Sequence, residues 1–215
     1  MRRTAALAAV LALAGCGGGK GGATQQAQQT TTAQGCTSAP AHVHPNGGYP
    51  NKHLKLEPAK TYKLVFETNC GSFTITLDQK LAPNATGSLV SLAQRGFFND
   101  TFFHRIVPGF VIQGGDPTGQ GSGGPGYETH DKVPANAAYV HGVVAMAKTG
   151  AERAGTAGSQ FFVVTGQDAN LPPDYAIVGK VTQGLDVVDR IGTLGDANEH
   201  PTQNVVISKV RIETS

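Results

Sequence analysis

The stretch FFHRIVPGFVIQGGDPTGQGSGGPGY, residues 102–127, decides how the rest of the chain is read. It opens on two aromatic residues and the pair His104-Arg105, set among apolar and β-branched neighbours. Val107-Pro108-Gly109 is a turn, because proline presets its own φ and glycine tolerates dihedrals other residues avoid. Phe110-Val111-Ile112 is a second short strand that ends in the polar Gln113 and the pair Gly114-Gly115. The residues that follow are too rich in Gly and Pro for a helix or a central strand. A guanidinium on one strand and an amide on the next, with bulky apolar groups between, point to a shallow apolar cleft with few polar contacts.

Periodicity supplies the frame around that stretch. Tyr62, Leu64 and Phe66 alternate with Lys63, Val65 and Glu67, Asn69-Cys70-Gly71 turns, and Phe73, Ile75 and Leu77 alternate with Thr74 and Thr76; this is a β-hairpin. Residues 83–94 form a helix with Pro83 near its start, Leu89, Leu92 and Ala93 on its apolar face and Gly96 as its stop. Residues 142–147, 160–165 and 176–181 are apolar enough for buried strands, 185–191 for a short second helix, and 205–212 for a closing strand. Many short strands with only two helices predict a mainly β domain, a closed barrel, over residues 61–215.

The bulk properties exclude little but do exclude something. The chain has 215 residues, 39% of them hydrophobic, and no Trp, enough for one well-cored domain with appendages. Formal net charge is +2 from 17 basic and 15 acidic residues, and setting Arg2 and Arg3 aside brings the basic residues level with the acidic ones. No clustered basic excess of the kind that binds nucleic acid is present.

The N-terminus reads as a targeting segment. Arg2-Arg3 precede a short apolar run of mostly Ala and Leu, too short to span a bilayer as a mature helix. It ends Leu13-Ala14-Gly15-Cys16, which resembles the lipobox of bacterial lipoproteins; the resemblance implies a leader over residues 1–15, lipidation of Cys16 and a membrane-anchored, extracytoplasmic protein. Residues 16–35 carry no periodic apolar pattern and read as a flexible linker, with a reach on the order of 25 Å. Residues 36–60 form an extension. Cys36 and Cys70 remain as an even pair in an oxidising compartment, and a disulfide pinning the extension to the first hairpin is expected, against free thiols or intermolecular pairing. His42 and His44, with His53 nearby, have no third ligand at a fixed spacing and read as solvated surface residues rather than a metal site.

Two motifs carry a family resemblance. Phe103-His104-Arg105-Ile106, Pro108-Gly109-Phe110 and Gln113-Gly114-Gly115-Asp116 run without a gap, and Gly158-Ser159-Gln160-Phe161-Phe162, preceded by Met146-Ala147, follows in order. The chain thereby resembles the cyclophilin-type peptidyl-prolyl cis-trans isomerases over roughly residues 62–213. The resemblance implies a closed eight-stranded antiparallel β-barrel with a helix over each open end, and isomerisation of proline bonds without cofactor or metal.

It assigns Arg105, Gln113 and Phe110 to catalysis. Val111, Ala147, Lys148, Gln160, Phe162, Leu171 and Tyr175 would line the substrate cleft. Strand alternation independently puts Gln160 and Phe162 on one face and Phe161 on the other. Three departures stand out: Asn170 where some members have Trp, which bears on cyclosporin binding; Lys148 where an Asn is common; and a long loop, residues 149–155, whose Glu152-Arg153 pair would shape the cleft edge. Gly119, Gly121 and Gly124 satisfy G-x-G-x-x-G, but Pro125-Gly126 forbids the helix that phosphate binding needs. Ser159 lacks the G-x-S-x-G elbow of a hydrolase, and His104 reads as a strand residue satisfied by local hydrogen bonds. The partners implied are proline-containing polypeptides and, through the anchor, a membrane; the protein is expected to act as a monomer. A non-catalytic proline-peptide binding module of the envelope is the alternative, and a structural lipoprotein with a metal-binding His extension a further one.

Overall fold

The computed structural model describes residues 35–51 and 54–215. The leader, Cys16 and most of the linker, together with His53, lie outside the described residues.

Among the described residues, eleven strands and two helices follow in the order β1 Tyr62–Thr68, β2 Gly71–Leu77, α1 Pro83–Gln94, β3 Thr101–Phe102, β4 Arg105–Val107, β5 Val111–Gly114, β6 Thr129–His130, β7 Val143–Met146, β8 Thr156–Ala157, β9 Phe161–Val164, β10 Ile177–Gln183, α2 Leu185–Gly192 and β11 Val206–Thr214. Nine strands make one antiparallel sheet in the order β3-β11-β1-β2-β10-β7-β9-β5-β4, and β6 and β8 pair separately. The expectation of a closed eight-stranded barrel is therefore corrected to a nine-stranded sheet whose end strands do not pair. The reason lies in the chain. β3 and β4 sit at opposite ends of the sheet yet are separated only by Phe103 and His104. Three residue steps from Phe102 to Arg105 span at most about 10 Å, so the sheet must curl until its ends almost meet.

Alternation splits the curled sheet into two apolar layers. Phe66, Phe73, Phe103, Ile106, Ile112, Met146, Phe161 and Val163 belong to the interior core. Phe66 and Phe73 are register partners on β1 and β2, and their rings stack at 5.0 Å. The neighbours one residue away in the chain, Val111, Ala145, Phe162 and Val164, form a second cluster on the other face. A period of two makes this unavoidable: once Phe161 is inside, Phe162 is out.

The helices cover different parts of the sheet, α1 against β11 and β6 and α2 against β2, β4 and β5. Pro83 starts α1, where its missing N–H costs nothing. The preceding residue supplies no cap; instead the Asp131 carboxylate accepts from the Asn84 and Ala85 amides at 3.0 and 2.8 Å, a negative charge at the positive end of the helix.

The extension is part of this body. Cys36 is bonded to Cys70 in the β1–β2 turn, as the sequence led one to expect, and both are buried. Leu56 joins the interior core, with Tyr49 and Leu54 packed against it.

Candidate active site

The β4–β5 hairpin brings the first functional groups together. Phe110 N donates to Val107 O at 3.0 Å, and Gly109, at φ 71°, stands two residues into the turn after Pro108, the positions each residue type favours there. Phe110 thus closes the turn instead of starting the strand. The tight turn fixes the register, in which Arg105 pairs with Gln113, Ile106 with Ile112 and Val107 with Val111.

That register continues across the sheet. Gln113 pairs with Phe162 on β9, Phe162 with Ala145 on β7, and Ala145 with Ile177 on β10. Arg105, Gln113, Phe162 and Ala145 therefore stand in one row perpendicular to the strands, polar at one end and apolar at the other. With strands about 4.8 Å apart, the row from Arg105 to Ala145 covers roughly 14 Å.

A chain of hydrogen bonds holds the polar end. Arg105 Nε donates to Glu199 Oε2 at 2.6 Å and its Nη1 lies 3.4 Å from Gln113 Oε1. Gln113 Nε2 donates to Gln160 Oε1 at 3.0 Å, and Gln160 Nε2 to the Gly123 carbonyl at 3.0 Å. The hydrogen bond and charge of Arg105 hold the Glu199 carboxyl below the usual carboxylate range. Glu199, in the loop between α2 and β11, has no signal in the sequence: it is 94 residues from Arg105 and belongs to neither motif.

At the apolar end Phe110, Ala147, Leu171 and Tyr175 pack around Val111, Tyr139 and Phe162. Phe162 and Tyr175 meet edge to face at 5.5 Å. Tyr139 fixes Tyr175 from beneath, its hydroxyl accepting from Tyr175 N at 2.9 Å and donating to Tyr175 O at 2.8 Å. Tyr139 was missed in the sequence, where a lone Tyr outside the motifs carries no mark.

The structure brings Arg105, Phe110, Val111, Gln113, Ala147, Gln160, Phe162, Leu171 and Tyr175 to this one face. The Lys148 ammonium is committed elsewhere: it lies 2.5 Å from Asp174 Oδ2, donates to the Thr149 and Glu152 carbonyls and sits 5.4 Å over the Tyr175 ring. Its side chain is 2% exposed. Glu152 folds inward on the same loop, its carboxylate taking the Thr149 amide. Asn170 sits in a turn capped by Asp168, with a positive φ of 50° and its backbone amide donating to Asp168 Oδ1. His104 departs from expectation. It lies between β3 and β4, and neither ring nitrogen has a hydrogen-bond partner among the described residues. Burial holds its pKa below the usual value, with Asp116 opposing and Arg105 reinforcing that shift.

Beside the row an open groove of about 560 Å³ runs between the Gly-rich loop and the loop of Lys148, with Gln113 and Gln160 on its floor.

The model of the family described as cyclophilin type peptidyl-prolyl cis-trans isomerase/CLD matches residues 63–212. The chain is 36% identical over 154 residues to a peptidyl-prolyl cis-trans isomerase-like 1 of Aspergillus oryzae, covering 69% of this chain and 94% of the relative. A Helicobacter pylori peptidyl-prolyl cis-trans isomerase is 40% identical over 138 residues, 63% of this chain and 83% of the relative. The crystal structure of a cyclophilin type peptidyl-prolyl cis-trans isomerase of Cryptosporidium parvum matches with a TM-score of 0.66 at 30% identity, over 71% of this chain and 98% of that one. The register row, the two motifs it aligns and these matches place the chain in the cyclophilin-type peptidyl-prolyl cis-trans isomerase family.

Proposed function

We propose that the protein accelerates proline isomerisation in exported polypeptides at a bacterial cell envelope, with Arg105 as the group that stabilises the twisted bond. Rotation of a prolyl amide is slow because resonance stiffens its C–N bond, a barrier of about 20 kcal/mol. In the twisted state the nitrogen loses that resonance and carries a free lone pair. A fixed N–H aimed at this atom binds the twisted state more strongly than either planar isomer, which is what lowers the barrier.

Arg105 is suited to the task by its tethering. Its Nε is held by Glu199, which leaves the outer guanidinium nitrogens for substrate, with Gln113 only loosely engaged at 3.4 Å. Phe110, Val111, Phe162, Leu171 and Tyr175 offer the apolar seat for a proline ring. Gln113 and Gln160 are the polar wall beside it, and Ala147 and Lys148 contribute main chain at the rim. A structure of the Cryptosporidium parvum relative in the presence of the dipeptide Ala-Pro, 29% identical with a TM-score of 0.65, supports this substrate class. The observation that carries the reading is the register row: it sets a donor-rich cation two strands from an apolar platform.

The location rests on sequence alone. Arg2-Arg3, the apolar run and Leu13-Ala14-Gly15-Cys16 support a leader, lipidation of Cys16 and a linker that stands a monomeric domain off the membrane. Acylation by two or more chains would make the attachment stable. Two measurements test the whole: isomerisation of a proline-containing peptide by the purified chain, and its membrane fraction before and after Cys16→Ser. A peptide that isomerises at its spontaneous rate sinks the enzyme reading; a variant that stays in the membrane sinks the anchor.

A further inference from the structure

The family match begins at residue 63, yet residues 36–51 reach the loop that walls the groove. From the disulfide the strap is tied down by Thr37 N donating to Asn69 O at 2.8 Å and Asn69 Nδ2 to Thr37 O at 2.6 Å. It then crosses to the Gly-rich loop. His44 N donates to Pro117 O at 2.7 Å, Gly47 N to Gly124 O at 2.9 Å and Tyr49 N to Pro125 O at 3.1 Å. In return Gly124 N donates to Asn46 Oδ1 at 2.9 Å. The Tyr49 ring meets Phe97 edge to face at 4.7 Å, which fixes the far end.

The contact between strap and loop is a built one. Gly47 and Gly126 both have positive φ, 73° and 91°, and a Cβ on Gly126 would stand 3.1 Å from the Gly47 Cα. Two backbones approach this closely only where neither carries a side chain. From the other side, the buried Asp116 carboxylate accepts from Thr118 N at 2.7 Å and Gly123 N at 3.1 Å. The loop is therefore held on one side by its own Asp116 and on the other by the strap. Between them sits the Gly123 carbonyl, the acceptor for Gln160 Nε2, and Asn46 itself lines the groove with Gln113 and Gln160.

We propose that Asn46 is a positioning residue of the substrate cleft. By holding the Gly124 amide it keeps the adjacent Gly123 carbonyl against Gln160 and keeps the groove wall in the shape that receives the peptide chain beside the proline. The inference rests on the reading of this face as the isomerase site. Arg105 keeps its own tether to Glu199, so losing Asn46 acts on peptide binding rather than on the twisting step.

The test compares Asn46→Ala and Asn46→Asp in the full chain, with a proline-containing tetrapeptide as probe. Asn46→Ala should weaken binding about 2–10-fold, the worth of one hydrogen bond, with kcat within about twofold of the parent. Gly124 amide exchange should speed up in the same variant. Asn46→Asp keeps the acceptor oxygen and should restore both peptide affinity and Gly124 protection. Asn46 is exposed, so a purely structural role would show in melting or nowhere. Unchanged affinity in Asn46→Ala despite faster Gly124 exchange overturns the proposal, as does equal loss in the Ala and Asp variants. A parent chain that neither binds nor isomerises the peptide overturns the cleft reading and this inference with it.

Discussion

Arg105 and Gln113 face each other as register partners across a two-strand hairpin, with Arg105 Nη1 3.4 Å from Gln113 Oε1, while Arg105 Nε is bound at 2.6 Å to Glu199. One edge of the guanidinium is thus fixed and the other loosely engaged. The proposed mechanism makes this unequal grip functional. Arg105→Ala removes the donor and should lower turnover by roughly 10²–10³-fold, on the scale of one lost transition-state donor. Arg105→Lys should recover little, because an ammonium cannot stay fixed to Glu199 by one nitrogen while offering others to the prolyl nitrogen. The fold should persist in both, since the side chain is 33% exposed and faces the cleft. Peptide binding retained with turnover lost is the expected pair of readings; near-parent isomerisation by Arg105→Ala removes the mechanism.

Glu199 should matter through Arg105 alone. It is half exposed, and an exposed ion pair adds little to stability, so Glu199→Ala should melt with the parent. Turnover should nonetheless fall about 3–10-fold, because a guanidinium free to swing spends less time aimed at the nitrogen. Glu199→Gln, which can still accept a hydrogen bond, should lose less. Since Arg105 holds the Glu199 carboxyl below the usual carboxylate range, the pair persists as pH falls until that depressed value is passed. Combining Glu199→Ala with Arg105→Ala is the control: a further loss beyond Arg105→Ala would show that Glu199 acts by another route.

The Cys36–Cys70 bond closes a loop of 34 residues. On the chain-entropy account such a link contributes about 3–4 kcal/mol. For a domain of this size that corresponds to a fall in melting temperature on the order of 10 °C when both cysteines are replaced by Ser. The parent mass should rise by two hydrogens on reduction. Free thiols in the native protein would dismiss the bridge, and an unshifted melting temperature would dismiss its stabilising role.

Much of this architecture was legible because it is local. The β1–β2 hairpin shows period two in Leu64, Phe66, Phe73 and Ile75, and α1 spans the residues anticipated from Pro83 onward. The clustering of Arg105, Gln113, Gln160 and Phe162 was readable from two motifs. What escaped is either too short or too distant to leave a pattern. β3, β6 and β8 have two residues each, fewer than any period needs. Glu199 and Tyr139 reach the site only through tertiary packing. The ninth strand and the unpaired sheet ends follow from how far the sheet curls, which side-chain alternation does not encode. His104 was misjudged because position within a motif says nothing about whether a buried ring finds a partner.

That unpartnered ring gives a pH signature. Burial disfavours the imidazolium of His104, so its folded pKa lies below the ordinary value of about 6.5. Asp116 pulls the other way and Arg105 adds to the effect, so the net direction is down. In the unfolded chain the same ring titrates normally. As pH falls below about 6.5 the unfolded state therefore takes up a proton that the folded state refuses, and stability declines until the folded pKa is reached. Above that window His104 is neutral in both states and contributes no slope. Melting temperature should drop between pH 7 and pH 5, and His104→Phe, which keeps a ring and removes the titration, should flatten part of the drop. The other histidines are common to both proteins, so the difference between the two curves isolates His104. A steeper drop in the variant would show that Asp116 rather than burial sets the state of the ring and holds it charged in the fold, and parallel curves would show that the ring titrates alike in the folded and unfolded chain.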